Sequence, residues 1–76
     1  MLPLSMCSAG QNCLVARIGG NENVKQHLED LGFVVGTSVQ VISASGNGNI
    51  IVSVKESRLA ITDQMAAKIM VEVADE

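Results

Sequence analysis

The chain has 76 residues, a net charge of −3 at pH 7 and a single aromatic residue, Phe33. Residues 1–76 therefore read as one small domain, whose thin core leaves no room for a deep substrate cleft. The acidic balance opposes nucleic-acid binding, and one ring cannot build a base-stacking platform or an aromatic groove for Pro-rich peptides.

Met1 to Cys7 has a faint likeness to a lipoprotein leader. It has no Lys or Arg ahead of its short apolar run, and Met6 is too large for the cleavage site. No stretch approaches the roughly 20 apolar residues that span a bilayer, so direct membrane insertion is not expected. The two cysteines, Cys7 and Cys13, fit a reducing cytoplasm better than a secreted disulfide framework.

Cys13 to Ile18 is a short apolar run between Gly10-Gln11-Asn12 and Gly19-Gly20-Asn21, which predicts a strand. Across Glu22 to Leu31 the period changes. Val24, Leu28 and Leu31 fall on one helical face, with Asn21 or Asn23 as N-cap and Gly32 as a left-handed C-cap. Thr37 to Ala44 predicts a second strand of partial alternation. Ser45-Gly46-Asn47-Gly48-Asn49 predicts a hairpin loop, and Ile50 to Lys55 pairs back with Ile50, Val52 and Val54 on one face. A turn at Glu56-Ser57 leads to a strand at Arg58 to Ile61. Thr62-Asp63 caps a brief helix over Gln64 to Lys68, and Ile69 to Val73 closes as the last strand. The fold class is mainly β: about five short strands closing into a small barrel, with one helix between the first and second strands.

Cys7, Cys13, His27, Met1, Met6, Met65 and Met70 are soft-ligand types. Cys7 and Cys13 are separated by five residues, outside the two-to-four spacing of zinc pairs. A metal site would need Cys7, Cys13 and His27 brought together by the fold. Otherwise Cys13, Met65 and Met70 fill the core and Cys7 is an exposed, oxidisable thiol. A Cys/His nucleophile pair lacks the pocket it needs, so no enzyme activity is expected. Gly19-Gly20-Asn21 lacks a phosphate-loop fingerprint and reads as a strand-to-helix turn. The acidic residues are scattered and form no cation loop. Surface recognition remains, with Phe33, Val34 and Val35 as candidate contacts, or with Phe33 plugging the barrel.

The ordered motifs resemble the FeoA family, the small cytoplasmic partner of the bacterial ferrous iron transporter FeoB. The resemblance runs from Pro3-Leu4 through Gly10-Gln11, Val15-Ala16-Arg17-Ile18 and Gly19-Gly20. Its most specific stretch is Leu28-Glu29-Asp30-Leu31-Gly32-Phe33-Val34-Val35-Gly36-Thr37. Val39, Val41, Ile51-Val52-Ser53-Val54, Arg58-Leu59-Ala60-Ile61 and Ala67-Lys68-Ile69-Met70-Val71 continue it. Val35 stands where members often have proline.

The resemblance implies an SH3-like β-barrel and an accessory role in ferrous iron uptake. It implies cytoplasmic docking on FeoB, at its GTPase region, with recruitment to the inner face of the membrane. Leu28, Leu31, Gly32, Phe33, Gly36 and Arg58 are the motif and partner-surface candidates it suggests. Fe(II), or another divalent transition metal, enters only through the resemblance. Two alternatives stand beside it. One is a binding module like the C-terminal domain of metal-dependent repressors. The other is a soft-metal carrier using Cys7, Cys13 and His27.

Overall fold

The structure, a computed structural model, describes residues 1–44 and 48–74. In chain order it contains β1 (Leu2–Pro3), a single 3-10 turn (Leu4–Met6), β2 (Asn12–Ile18), α1 (Glu22–Leu31) and β3 (Ser38–Ala44). There follow β4 (Asn49–Val54), β5 (Ser57–Thr62), the one-turn α2 (Asp63–Ala66) and β6 (Ile69–Val73).

Both caps of α1 are local chemistry. The Asn21 side chain accepts the Val24 N–H at 2.9 Å, so Asn21 rather than Asn23 is the N-cap. Gly32 ends the helix at φ 112°, where a side chain would be strained. Thr62 caps α2 in the same way as Asn21, accepting the Met65 N–H at 3.2 Å.

The strands form one antiparallel sheet in the order β1-β6-β2-β3-β4-β5. That is six strands rather than about five. The extra one is the two-residue β1, pairing Leu2 with Val71 and Pro3 with Met70. Proline donates no hydrogen bond, and an edge position tolerates that. Such a strand is too short to leave a periodic signal.

Two register shifts bend the sheet. In β2 the shift falls between Val15 and Arg17. Val15 and Ile18 both point inward despite their odd spacing, and Arg17 is left outside. In β3 a second shift falls between Val41 and Ser43, which accounts for the partial alternation there. The β4–β5 hairpin turns at Lys55-Glu56, because Val54 pairs with Ser57. The turn lies one residue earlier than expected, and Lys55 adopts φ 57° to make it. The expected hairpin loop at Ser45–Asn49 lies largely outside the described residues; Asn49 already begins β4.

One apolar cluster draws on β2 through β6 and on both helices. It includes Leu4, Cys13, Val15, Leu28, Phe33, Val39, Val52, Ala66, Ile69 and Val71. Met65 packs against it as expected. Met70 does not; it lies half-buried between Pro3 and Arg17 on the other face of β6. β1 and β5 are the two edges of the sheet. The turn that follows β1 packs on α2, which follows β5. Side chains from the 3-10 turn and α2, chiefly buried Leu4 and Ala66, thus cover the seam. This is how a sheet of short strands completes its barrel.

Candidate functional site

The end of α1 sorts the residues of the most specific motif between core and solvent. The Gly32 N–H donates to the Glu29 carbonyl and the Phe33 N–H to the Leu28 carbonyl, each at 3.0 Å. This pair of bonds is a Schellman motif, which brings the residue after the glycine back over the last turn. Phe33 is thereby fully buried beside Leu28 in the core. Of the candidate contacts Phe33, Val34 and Val35, the ring plugs the barrel and only the two valines face solvent.

Val34 is 42% and Val35 63% exposed. They sit on a turn closed by the Thr37 N–H donating to the Val34 carbonyl at 2.9 Å. Gly36 adopts φ 93° in this turn. The turn is fixed to β2 at two points. Gly36 N–H donates to the Val15 carbonyl at 2.8 Å, and Val15 N–H donates to the Thr37 carbonyl at 2.9 Å. The two exposed valines therefore stand on a held turn.

Beside them lies an open groove of about 630 Å³, running between β2 and α1 and lined by Ala16, Arg17, Gly20, Lys25, Glu29 and Val35 among others. The groove is mixed in charge: Arg17 and Lys25 stand with Glu22 and Glu29. A smaller groove of about 330 Å³ lies elsewhere, formed by Gly10, Gln40, Val41, Ile42, Ser53 and Arg58. The surface candidates thus divide. Leu28 and Phe33 are buried core, Leu31 and Gly32 are half-buried, Gly36 is exposed beside the first groove, and Arg58 lines the second. Sequence reasoning missed Arg17, Lys25 and Glu29 as neighbours of the valine turn. An Arg inside an apolar run was the available signal, and only the β2 bulge explains it.

The thiols behave differently from expectation. Cys7 is 4% exposed and Cys13 fully buried, so Cys7 is not an exposed thiol. Their sulfurs lie 3.3 Å apart, and both cysteines are free. Burial, reinforced by the hydrogen bond and charge of Cys7, pushes the Cys13 thiol up to about 12. His27 is exposed on α1 and does not join them. Among the described residues no group of three or more His, Cys, Asp or Glu side chains is placed to share a metal ion. The set Cys7, Cys13 and His27 therefore does not fit a closed Fe(II) or zinc site.

The family model for the FeoA domain matches residues 2–73. The chain belongs to the FeoA family. A Methanocaldococcus jannaschii protein named for Fe(2+) transport is 36% identical over 75 residues, covering 99% of this chain and 90% of the relative. The crystal structure of an iron uptake regulatory protein, FeoA, superimposes with a TM-score of 0.91 at 34% identity, covering 96% of this chain and 97% of that one. A Stenotrophomonas maltophilia FeoA, described as an SH3 domain protein complexed with zinc, gives 0.82 at 23%, covering 95% and 91%. A manganese-dependent transcriptional repressor shares the fold at 0.89 and 19% identity. There the match covers 96% of this chain and 36% of the repressor.

The FeoA-family fold is SH3-like, and the chain has that fold. In this FeoA chain the place of an aromatic peptide groove is taken by none of the exposed residues, since the one ring is internal. No helix among the described residues is long and apolar enough to cross a membrane. The surface the FeoA signature does present is the Val34–Val35 turn and the groove next to it.

Proposed function

We propose that this FeoA chain is an accessory protein of ferrous iron uptake. It acts in the cytoplasm, docks on the cytoplasmic side of FeoB at the GTPase region and modulates the transporter. The contact is the Val34–Val35 turn with the groove of Arg17, Lys25 and Glu29. Iron is the transporter's cargo in this reading; among the described residues no three His, Cys, Asp or Glu side chains are placed together to hold it.

The observation that carries the proposal is the division within the FeoA signature. The same stretch that buries Phe33 holds two consecutive valines in water. Exposed apolar side chains on a held turn gain from desolvation at little ordering cost, which is how small contact sites concentrate binding energy. The charged groove beside them supplies register and partner discrimination.

The test is an amide chemical-shift titration with the purified FeoB GTPase domain. Shifts should concentrate on Val34, Val35, Gly36, Arg17 and Lys25. Absence of any shift at micromolar concentrations, or shifts confined to the Arg58 groove, overturns the assignment.

A further inference from the structure

Two free thiols in contact inside the core are not accounted for by a docking role. Cys7 ends the 3-10 turn, its N–H donating to the Leu4 carbonyl at 3.0 Å, and Cys13 lies in β2 opposite Val39 and Val73. The chain between them is a tight loop. Gln11 N–H donates to the Ser8 carbonyl at 3.1 Å, and Ser8 N–H donates to the Gln11 side chain at 2.8 Å. Gly10 crosses the loop at φ 91° and donates to the Val41 carbonyl at 2.7 Å, while Val41 donates to the Gln11 carbonyl at 3.0 Å. The loop thus holds both cysteines in place and contributes Gly10 to the wall of the Arg58 groove.

We propose that Cys7 and Cys13 are a reversible dithiol–disulfide pair, which on oxidation ties the seam-covering turn of the barrel to β2. The geometry selects this over a soft-metal site. A divalent ion held by two thiolates would lack the further ligands that complete a tetrahedral shell, because among the described residues the core contains no buried polar or charged side chain to supply them. A disulfide is neutral and fits the same space. The sulfurs at 3.3 Å need close by little more than 1 Å to reach bonding distance.

The reaction uses a small-molecule disulfide as oxidant. The Cys7 sulfur is the more accessible of the two and attacks first, as thiolate, forming a mixed disulfide and releasing one small thiol. Cys13, after losing its proton, attacks the Cys7 sulfur and expels the second small thiol. The sum is protein dithiol plus one disulfide giving protein disulfide plus two thiols, the two protein protons passing to the released thiolates. Burial of Cys13 keeps its thiol protonated, so the second step waits on loss of that proton. The internal disulfide therefore needs sustained oxidation, and brief exposure stops at the transient mixed disulfide on Cys7.

The experiment incubates the full chain with oxidised glutathione, then unfolds it and labels free thiols with iodoacetamide. The expected product is a monomer lighter by two hydrogens, with no labelled cysteine, restored by dithiothreitol. Its thermal midpoint should rise by roughly 10 °C, the effect of closing a short loop in a domain of this size. The Gly10 and Val41 amide resonances should shift while that of Leu28 stays in place. A Cys13→Ala variant should stop at the mixed disulfide on Cys7; Cys13→Val serves if alanine leaves too large a cavity. Two labelled cysteines in the treated wild type, covalent dimers, or a stable glutathione adduct on the wild type would each overturn the proposal, and none needs a variant to fold.

Discussion

The Phe33 backbone N–H donates to the Leu28 carbonyl at 3.0 Å, and both side chains are fully buried. The helix end and the only aromatic ring therefore enter the core as one unit. Gly32, between the helix and Phe33, makes this possible by taking φ 112°.

Leu28→Ala should cost about 2–5 kcal/mol, because it empties a fully enclosed site. Against a total stability of about 5 kcal/mol for so small a domain, that is enough to unfold much of the population. Leu31→Ala should cost clearly less, since Leu31 is only half-buried. Urea denaturation midpoints rank the two; an equal loss would mean Leu31 carries more packing than its exposure indicates.

Gly32→Ala should lower stability by about 1–2 kcal/mol through backbone conformation alone. A Cβ there would meet Val54 at 3.5 Å, an ordinary contact, so no clash adds to the cost. The thermal midpoint should fall by about 4–8 °C for each kcal/mol.

Asn21→Ala should lose about 1 kcal/mol with the hydrogen bond to the Val24 N–H. Asn23→Ala, two positions later and exposed, should stay within about 0.5 kcal/mol of wild type. Parallel thermal melts separate the N-cap from its neighbour.

Val35→Asp should leave the folded domain within about 0.5 kcal/mol of wild type, since the side chain is 63% exposed. It should abolish complex formation with the FeoB GTPase domain in a pull-down. Wild-type binding by this variant would move the contact away from the valine turn.

Stability should decline between about pH 9 and pH 12 through Cys13. Its thiol is raised from 9.0 to about 12 in the folded protein, so the folded state holds a proton that the unfolded chain releases across that range. The contribution is fully present below pH 9 and is lost as pH approaches 12. Urea midpoints measured from pH 8 to 11 should fall in the wild type and flatten in Cys13→Ala.

What could be read from residue order alone was whatever a few neighbouring residues decide. Helix α1 runs from Glu22 to Leu31 as its period and caps require, and β6 runs from Ile69 to Val73 as its alternation requires. Capping and periodicity are satisfied within one or two turns, so they leave a legible pattern. The ordered glycines were legible too, because Gly32 and Gly36 answer to local φ values. The remaining features depend on partners distant in sequence. β1 exists because Val71 and Met70 are there to receive it. Arg17 is outside because β2 shifts register against β6. Phe33 and Val35, two residues apart in an apolar run, part company because one follows the Schellman turn into the core and the other is carried outward on the Gly36 turn. Cys7 and Cys13 meet while His27 stays on the far side of α1's solvent boundary, which replaces a three-ligand metal set with a thiol pair. Spacing along a chain restricts which residues can meet; register, bulges and burial select which of them do.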